Sequence, residues 1–434
     1  MESRESRRWA LLLIIAVGLT IRLVLVPFGG GPDHFTTHDS ASYRNITKTM
    51  PASLWSPKGT VVDDSLDRTP GYPIFLWITT AGTGNAYAAV IANAFIGGVL
   101  TVLLTFLLAR ELAPARPALW LVAAFLVAVE PVSVAYSYLV LTETLFAACF
   151  VAFLYFGARL VRSPTFAMAA ATGAALSVST LVRPTTIYLA PVLVILYLVT
   201  HPTGRSFLLA AAFAATALVP VGVWVARNHH VSGVSIYSTI EGTNTFGLRA
   251  ADAIAREKGI SLPTAQAELD ATYAKQLSEP NFAKRSEFRS DEGRTLLLRH
   301  PKGWLLSAVA GLRAGLAGAA YPWIEAPHAM PPTLSSWLHP VLLLTTVGGM
   351  LLMYALVTFG LVPLIRDRKW SVLTVLVLPA TYYFLISAGP EMKARFRVPI
   401  VPEMSVLAAF GILALWDWVM HRRQVAQQSE LVEA

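Results

Sequence analysis

Five short stretches of the chain combine residue types that could do chemistry. Asp39 lies in His38-Asp39-Ser40-Ala41-Ser42-Tyr43, soon after an apolar run. A transfer of a group onto a hydroxyl or amine needs one base to take the acceptor's proton, and a lone carboxylate suffices. The same aspartate would also cap a short helix beginning at Ser40, and the two roles are compatible. In Arg68-Thr69-Pro70-Gly71-Tyr72-Pro73 the prolines and glycine set a turn, while Arg68 could face a phosphate or meet lipid headgroups. Glu143, in Leu141-Thr142-Glu143-Thr144, is expected about two turns into an apolar span that begins near Tyr136. A carboxylate there is costly unless it is paired or reaches a wet cavity, which leaves structural pairing and substrate contact both open. Arg183-Pro184 separates two apolar runs. Its guanidinium suits bidentate phosphate binding, or it snorkels from a helix end. Lys393, Arg395 and Arg397 crowd the stretch 389–398, as an anionic partner would require. Anionic lipid bound without catalysis is the other reading of that cluster. Tyr43, Arg44 and Arg227 complete the polar set near span ends.

Other signals carry less. His34 and His38 sit four apart beside Asp39, a spacing a metal could use only in a helix, and no metal site is expected. Asp63, Asp64 and Asp67 follow, without a D-x-D spacing. Asn45-Ile46-Thr47 matches a glycosylation sequon. The single cysteine, Cys149, lies in an apolar run, so neither a disulfide framework nor a cysteine metal site is available.

The elements that must position these residues are apolar. Of 434 residues 55% are hydrophobic and 14% charged, and the mean hydropathy is +0.56, which excludes an ordinary soluble globule. A hydrocarbon core of about 30 Å needs roughly 20 apolar residues per helix. Runs suited to spans fall near 9–28, 86–109, 117–130, 136–158, 167–182, 184–200, 206–226, 338–362, 371–388 and 398–418. The expected fold is therefore an all-α polytopic membrane protein with about ten transmembrane helices, eight to twelve being in range, and two long extracytoplasmic loops. The stretch 303–320 carries Arg313 in its middle and reads as interfacial or re-entrant. Arg110, Arg116, Arg159, Arg162, Arg205, Arg366, Arg368, Lys369, Arg422 and Arg423 then all fall on one side, which the positive-inside rule makes cytoplasmic together with both termini. The net charge of +8 is accounted for by span ends, so nucleic acid is not an expected partner. The division that follows is an N-terminal transmembrane catalytic module over 1–226 including an outer loop 29–85, an extracytoplasmic region 227–337 with interfacial helices, and C-terminal transmembrane helices over 338–434 with a short cytoplasmic tail. Within the first loop 72–80 is apolar but too short to cross, and in the second 249–300 mixes charge and apolar positions at helical spacing.

The late Arg22 of the first helix, Asp39 and Tyr43, R-T-P-G-Y-P, Glu130-Pro131, Leu141-Thr142-Glu143, Leu181-Val182-Arg183-Pro184 and Arg395-Phe396-Arg397-Val398-Pro399 form an ordered set. The set resembles the GT-C glycosyltransferases related to protein O-mannosyltransferases and lipid A aminoarabinose transferases, over roughly 9–230 and 380–415. That resemblance implies a polyprenyl-phosphate sugar donor, inversion at the anomeric carbon, no cofactor or metal, a catalytic carboxylate at Asp39, and phosphate-binding arginines at Arg183 and Arg395. The implied acceptor is a lipid, glycan or protein of the cell envelope, and the implied place is the inner membrane with the site facing outward. Many relatives carry an acidic pair where this chain has Asp39-Ser40, with Glu143 a possible substitute. Two rivals stand beside this reading, a transporter or flippase of a lipid-linked or anionic substrate, and a non-catalytic lipid-binding subunit. The chain shows no two-fold internal repeat, and its polar residues favour one face over the midplane, which disfavours a transporter.

Overall fold

The computed structural model describes residues 4–24, 26–28, 31–50, 64–319 and 338–433; Asp63 lies outside them. All of the described elements are helical. In chain order the principal helices are α1 (Arg4–Leu23), α2 (His38–Thr49), α3 (Gly71–Thr79), α4 (Ala86–Leu112), α5 (Pro117–Val129), α6 (Pro131–Ser137), α7 (Glu143–Arg162), α8 (Phe166–Val182), α9 (Leu189–Thr200) and α10 (Gly204–Ser232). They continue with α11 (Ala251–Lys258), α12 (Leu262–Thr272), α13 (Phe282–Arg299), α14 (Pro301–Ala317), α15 (Leu338–Arg366), α16 (Trp370–Ser387) and α17 (Val401–Glu433). Six stretches are long and apolar enough to cross a membrane: 86–112, 143–162, 204–232, 343–366, 370–387 and 394–425. The pair α5 and α6, bent by 50° at Glu130-Pro131, makes a seventh candidate, while α8 and the stretch 184–200 are apolar but shorter. The apolar runs expected to span are thus mostly helical among the described residues, with 136–158 broken at 138–142. Many of their large side chains face outward, Val199 and Leu344 at 73% exposure and Leu13 at 66%. Only lipid makes such surfaces favourable, so the chain is a multi-pass membrane protein.

Ends and breaks follow local sequence. Thr203 and Thr165 cap α10 and α8 by accepting from Ser206 N and Met168 N, each at 3.2 Å. Pro131 cannot donate to a continuing ladder, and Glu130 instead accepts from Ser133 N at 2.6 Å to start α6 at a new angle. Small residues let backbones meet: a side chain on Gly98 would lie 2.8 Å from the Leu19 backbone, and one on Gly173 or Gly360 would strike carbonyls of α10 or α17. Arg22 is buried, and its guanidinium donates to Ala128 O at 2.6 Å and Gly18 O at 3.0 Å, which ties α1 to α5.

The two ends of the bundle differ. At one, Arg162 pairs with Glu111, Arg205 donates to Pro164 O, Arg116 pairs with Asp417, and Arg7 lies over Trp120, so the basic loops gather there. The segment 249–300 is helical as expected, α11 to α13 closing over Ile254, Leu269 and Leu297, and Phe246 just before it joins the same core. Against it lies α14, whose buried stripe Gly303, Ser307, Gly311 and Gly315 repeats every four residues. A side chain on any of those three glycines would strike Ala253, Gly389 or Met392. At 17 residues α14 is not among the long apolar helices.

Candidate active site

One cavity of about 490 Å³ lies at the end of the bundle opposite the basic loops, between the starts of α2 and α7, the ends of α8 and α16, and the 240–249 segment. Asp39 enters it from the first turn of α2. Thr37 and Ser40 close a reciprocal cap there, and Ser40 Oγ also donates to Val140 O at 2.8 Å while Val140 N donates to Phe35 O. The Asp39 turn is therefore fastened to the segment leading into α7; the helix begins at His38 rather than Ser40 and its cap is Thr37, so Asp39 does not cap it.

Glu143 lies elsewhere than expected. It is not two turns inside a span; the chain breaks after α6, and Glu143 opens α7 with Thr142 as cap. Arg183 ends α8 in an extended conformation, as a residue before proline must. The Arg68 turn packs on that same end, Thr69 Oγ1 donating to Val182 O at 3.2 Å. Gly71 has no side chain where one would sit 2.7 Å from the Leu181 backbone. Arg395 comes from a tight helical stretch, Ala394–Ile400, between α16 and α17.

These charges form an alternating chain. Arg183 Nη1 lies 3.0 Å from Glu143 Oε1, Arg395 Nε 3.5 Å from the same oxygen, Arg395 Nη2 2.9 Å from Asp39 Oδ2, Arg68 Nη2 3.1 Å from Asp39 Oδ1, and Arg68 Nε 3.1 Å from Asp67 Oδ2. Aromatic faces support the cations: Arg68 lies 5.0 Å over Tyr43, and Arg183 4.7 Å over Phe396 and 5.8 Å over Phe146. Burial opposes ionisation of Asp39, but Arg395 and Arg68 outweigh it and hold the carboxyl down at about 2. Lys393 lines the rim and is exposed.

Asp39, Tyr43, Arg68, Glu143, Arg183, Lys393 and Arg395 are thus brought together. Arg44 and Arg227 are not. Arg44 Nε donates to Gly84 O at 2.8 Å and braces the turn before α4. Arg227 is buried over Trp224 and reaches Asn228 Oδ1 and Ser65 O, so it holds the turn Asp64–Asp67 that precedes Arg68. Arg397 also leaves the cluster: its Nη1 donates to Gly315, Leu316 and Gly318 carbonyls at 2.7–3.0 Å and caps the end of α14. His38 lines the cavity, and among the described residues no three His, Cys, Asp or Glu side chains gather as a metal would require. Sequence reasoning missed Thr185, Asn244, Arg249, Ser387 and Glu391, which line the same cavity. The only hint was that Arg249 and Glu391 are charges beside apolar runs.

Residues 67–225 match the family model described as dolichyl-phosphate-mannose-protein mannosyltransferase. Among solved structures, the oligosaccharyltransferase AglB from Archaeoglobus fulgidus, in complex with an inhibitory peptide and a dolichol-phosphate, superposes with a TM-score of 0.53 at 13% identity over 97% of this chain and 52% of that one. The apo form of the Archaeoglobus fulgidus oligosaccharyltransferase gives 0.54 at 14% identity over 98% and 52%. This chain spans about half the length of those structures. No curated protein sequence matches it. The chain therefore shares the fold of these membrane oligosaccharyltransferase structures, and its residues 67–225 resemble the mannosyltransferase family.

Proposed function

We propose that the chain moves a sugar from a polyprenyl-phosphate carrier to a lipid, glycan or protein acceptor on the extracytoplasmic face of the inner membrane. The observation that carries this reading is the convergence of Arg68, Arg183 and Arg395 on one cavity with Asp39 and Glu143, at the end of the bundle away from the basic loops. The positive-inside rule puts those loops in the cytoplasm. Nucleotide sugars are not supplied on the other side, whereas a lipid-linked donor is presented there by the membrane. The dolichol-phosphate named in the AglB complex is a ligand of the same chemical class.

As it stands, Asp39 is a weak base, because two guanidinium groups hold its carboxylate. An arriving phosphate competes for the same guanidinium groups, which bind phosphate oxygens at least as well as carboxylate oxygens. Asp39 is then released and regains basicity beside the acceptor. The acceptor oxygen or nitrogen attacks the anomeric carbon as Asp39 takes its proton. The bond from that carbon to the phosphate oxygen breaks with its electron pair passing to the phosphate. A single displacement of this kind inverts the anomeric centre. Polyprenyl phosphate leaves as an anion, and Arg183 and Arg395 supply the fixed positive charge it needs. In this reading the charge is met by guanidinium groups, so chelator leaves turnover intact.

The test uses the purified chain in lipid nanodiscs. Arg183→Ala lowers catalytic efficiency with a lipid-linked donor by about 10- to 150-fold, the worth of one charge-assisted phosphate contact. Arg162→Ala, at the opposite end and paired with Glu111, changes it less than about twofold. Turnover of a soluble nucleotide sugar without any lipid-linked donor overturns the reading.

A further inference from the structure

The cavity holds more than the arginine network needs. Glu143 Oε2, Thr185 Oγ1, Ser387 Oγ and Glu391 Oε2 belong to its lining residues, and each is a buried side-chain oxygen with no hydrogen-bond partner. Glu143 is 2% exposed and Ser387 1%. Buried polar atoms are seldom left unsatisfied in native proteins, and several around one cavity point to a ligand that completes them.

Their chemistry selects that ligand. Carboxylate oxygens accept hydrogen bonds and repel phosphate, so the group they meet presents donors. It is uncharged, because both carboxylates already have cationic partners: Glu143 has Arg183 and Arg395, and Glu391 has Arg249, whose Nε donates to Oε1 at 2.6 Å. Two hydroxyls, of Thr185 and Ser387, add groups that donate and accept equally well. A cavity lined both by guanidinium groups and by acceptor oxygens fits a molecule that carries an anionic group and hydroxyl groups together.

We propose that Glu391, with Ser387, Thr185 and the free oxygen of Glu143, forms the subsite that reads the hydroxyl groups of the transferred sugar, with Arg249 as the positioning residue for Glu391. This inference rests on the lipid-linked donor reading and adds the residues that give it sugar selectivity. Arg249 also donates to Ile386 O at 3.0 Å, so the 240–249 segment is fixed to the end of α16 beside Ser387. Gly389 is part of the device: a side chain there would lie 2.5 Å from Glu391 Oε2 and 3.3 Å from Arg249 Nε.

The experiment compares bare undecaprenyl phosphate with undecaprenyl-phosphate-linked mannose, glucose and galactose, binding to the full chain in nanodiscs. At least one sugar-bearing carrier binds wild type about tenfold or more tighter than the bare carrier, the worth of one or two hydrogen bonds to a charged acceptor. Glu391→Gln removes most of that increment and leaves bare-carrier binding within about twofold, since Arg183 and Arg395 are untouched. Ser387→Ala, which changes no charge and little volume, removes a smaller part in the same way, and guards against misfolding of the first variant. Equal binding of bare and sugar-bearing carriers to wild type overturns the subsite. So does a Glu391→Gln or Ser387→Ala loss that is the same for both carriers. Binding of no carrier at all, or bare-carrier binding that Arg183→Ala leaves unchanged, overturns the donor reading instead, and the subsite with it.

Discussion

Changing Asp39 to asparagine keeps size and shape but removes the charge, and the site geometry then makes two opposite demands. A general base contributes about 10²- to 10⁴-fold, or roughly 3–5 kcal/mol, so the chemical step slows by that factor. Donor binding moves the other way. Arg68 Nη2 and Arg395 Nη2 lie 3.1 Å and 2.9 Å from the Asp39 oxygens, and an incoming phosphate must draw those guanidinium groups off a carboxylate. With asparagine there is less to displace, and a part-exposed pair worth up to about 1 kcal/mol becomes a gain of roughly two- to fivefold in undecaprenyl phosphate affinity. Single-turnover transfer of a radiolabelled lipid-linked sugar and binding of the bare carrier, both in nanodiscs, read the two effects separately. A rate that stays above about a tenth of wild type, a loss below roughly 1.4 kcal/mol, refutes Asp39 as the base. Bare-carrier affinity that falls tenfold refutes the exchange, because Asp39 would then be holding the arginines in place for the phosphate. The wild-type protein carries a matching pH signature. The Asp39 carboxyl is lowered from 3.8 to about 2, so its pairs contribute stability of at most about 2 kcal/mol that is complete above pH 4 and lost as pH falls toward 2. Asp39→Asn lacks that acid-dependent part in thermal melts.

Three further outcomes follow from the same structure. Arg397→Ala leaves three carbonyls at the end of α14 without their donor and lowers stability by about 2–3 kcal/mol in thermal melts, while bare-carrier binding by the folded fraction stays near wild type. Gly71→Ala pushes the Arg68 turn off the end of α8 and costs about 1–3 kcal/mol by overpacking, with turnover falling as well, since backbone at 2.7 Å cannot swing aside. Reporter fusions after Arg249 and after Lys369 report opposite sides of the membrane; matching sides would overturn the ten-span arrangement.

The site was largely legible in sequence where a charge stands beside apolar chain, because such a charge is costly enough to need a reason. Asp39, Arg68, Glu143, Arg183 and Arg395 were found that way, and they meet. What failed was placement along the chain. Glu143 falls two turns deep in the sequence reading because a span starting near Tyr136 meets no charge or proline before it. The backbone nevertheless stops at Ser137 and restarts at Glu143. Composition registers apolarity and is blind to a break inside it. Arg395 and Arg397 look like one cluster in sequence, yet in a stretch with three residues per turn, positions two apart point about 120° apart, so one faces the cavity and the other α14. Arg44 and Arg227 satisfied the rule that found the others, but their carbonyl partners lie 40 and 162 residues away and leave no local trace. The pairing of Arg249 with Glu391, 142 residues apart, was invisible for the same reason.

The order of charges through the site carries an argument about assembly. Reading from Asp67 through Arg68, Asp39, Arg395 and Glu143 to Arg183, every acid but the first and every base but the last touches two partners. Each of those neighbours comes from a different part of the chain, apart from Asp67 and Arg68. Three guanidinium groups gathered at the end of an apolar bundle would repel one another strongly if each stood alone, since the low dielectric around them magnifies every charge. Interleaved carboxylates remove that repulsion and fix each fork in a direction that faces the cavity. The N-terminal part of the chain supplies all three carboxylates and two of the arginines, but Arg395, which bridges Asp39 and Glu143, arrives with the C-terminal helices. The alternating chain is therefore complete only when the C-terminal helices have packed against the N-terminal ones, so under the donor reading the headgroup site exists only in the fully assembled fold.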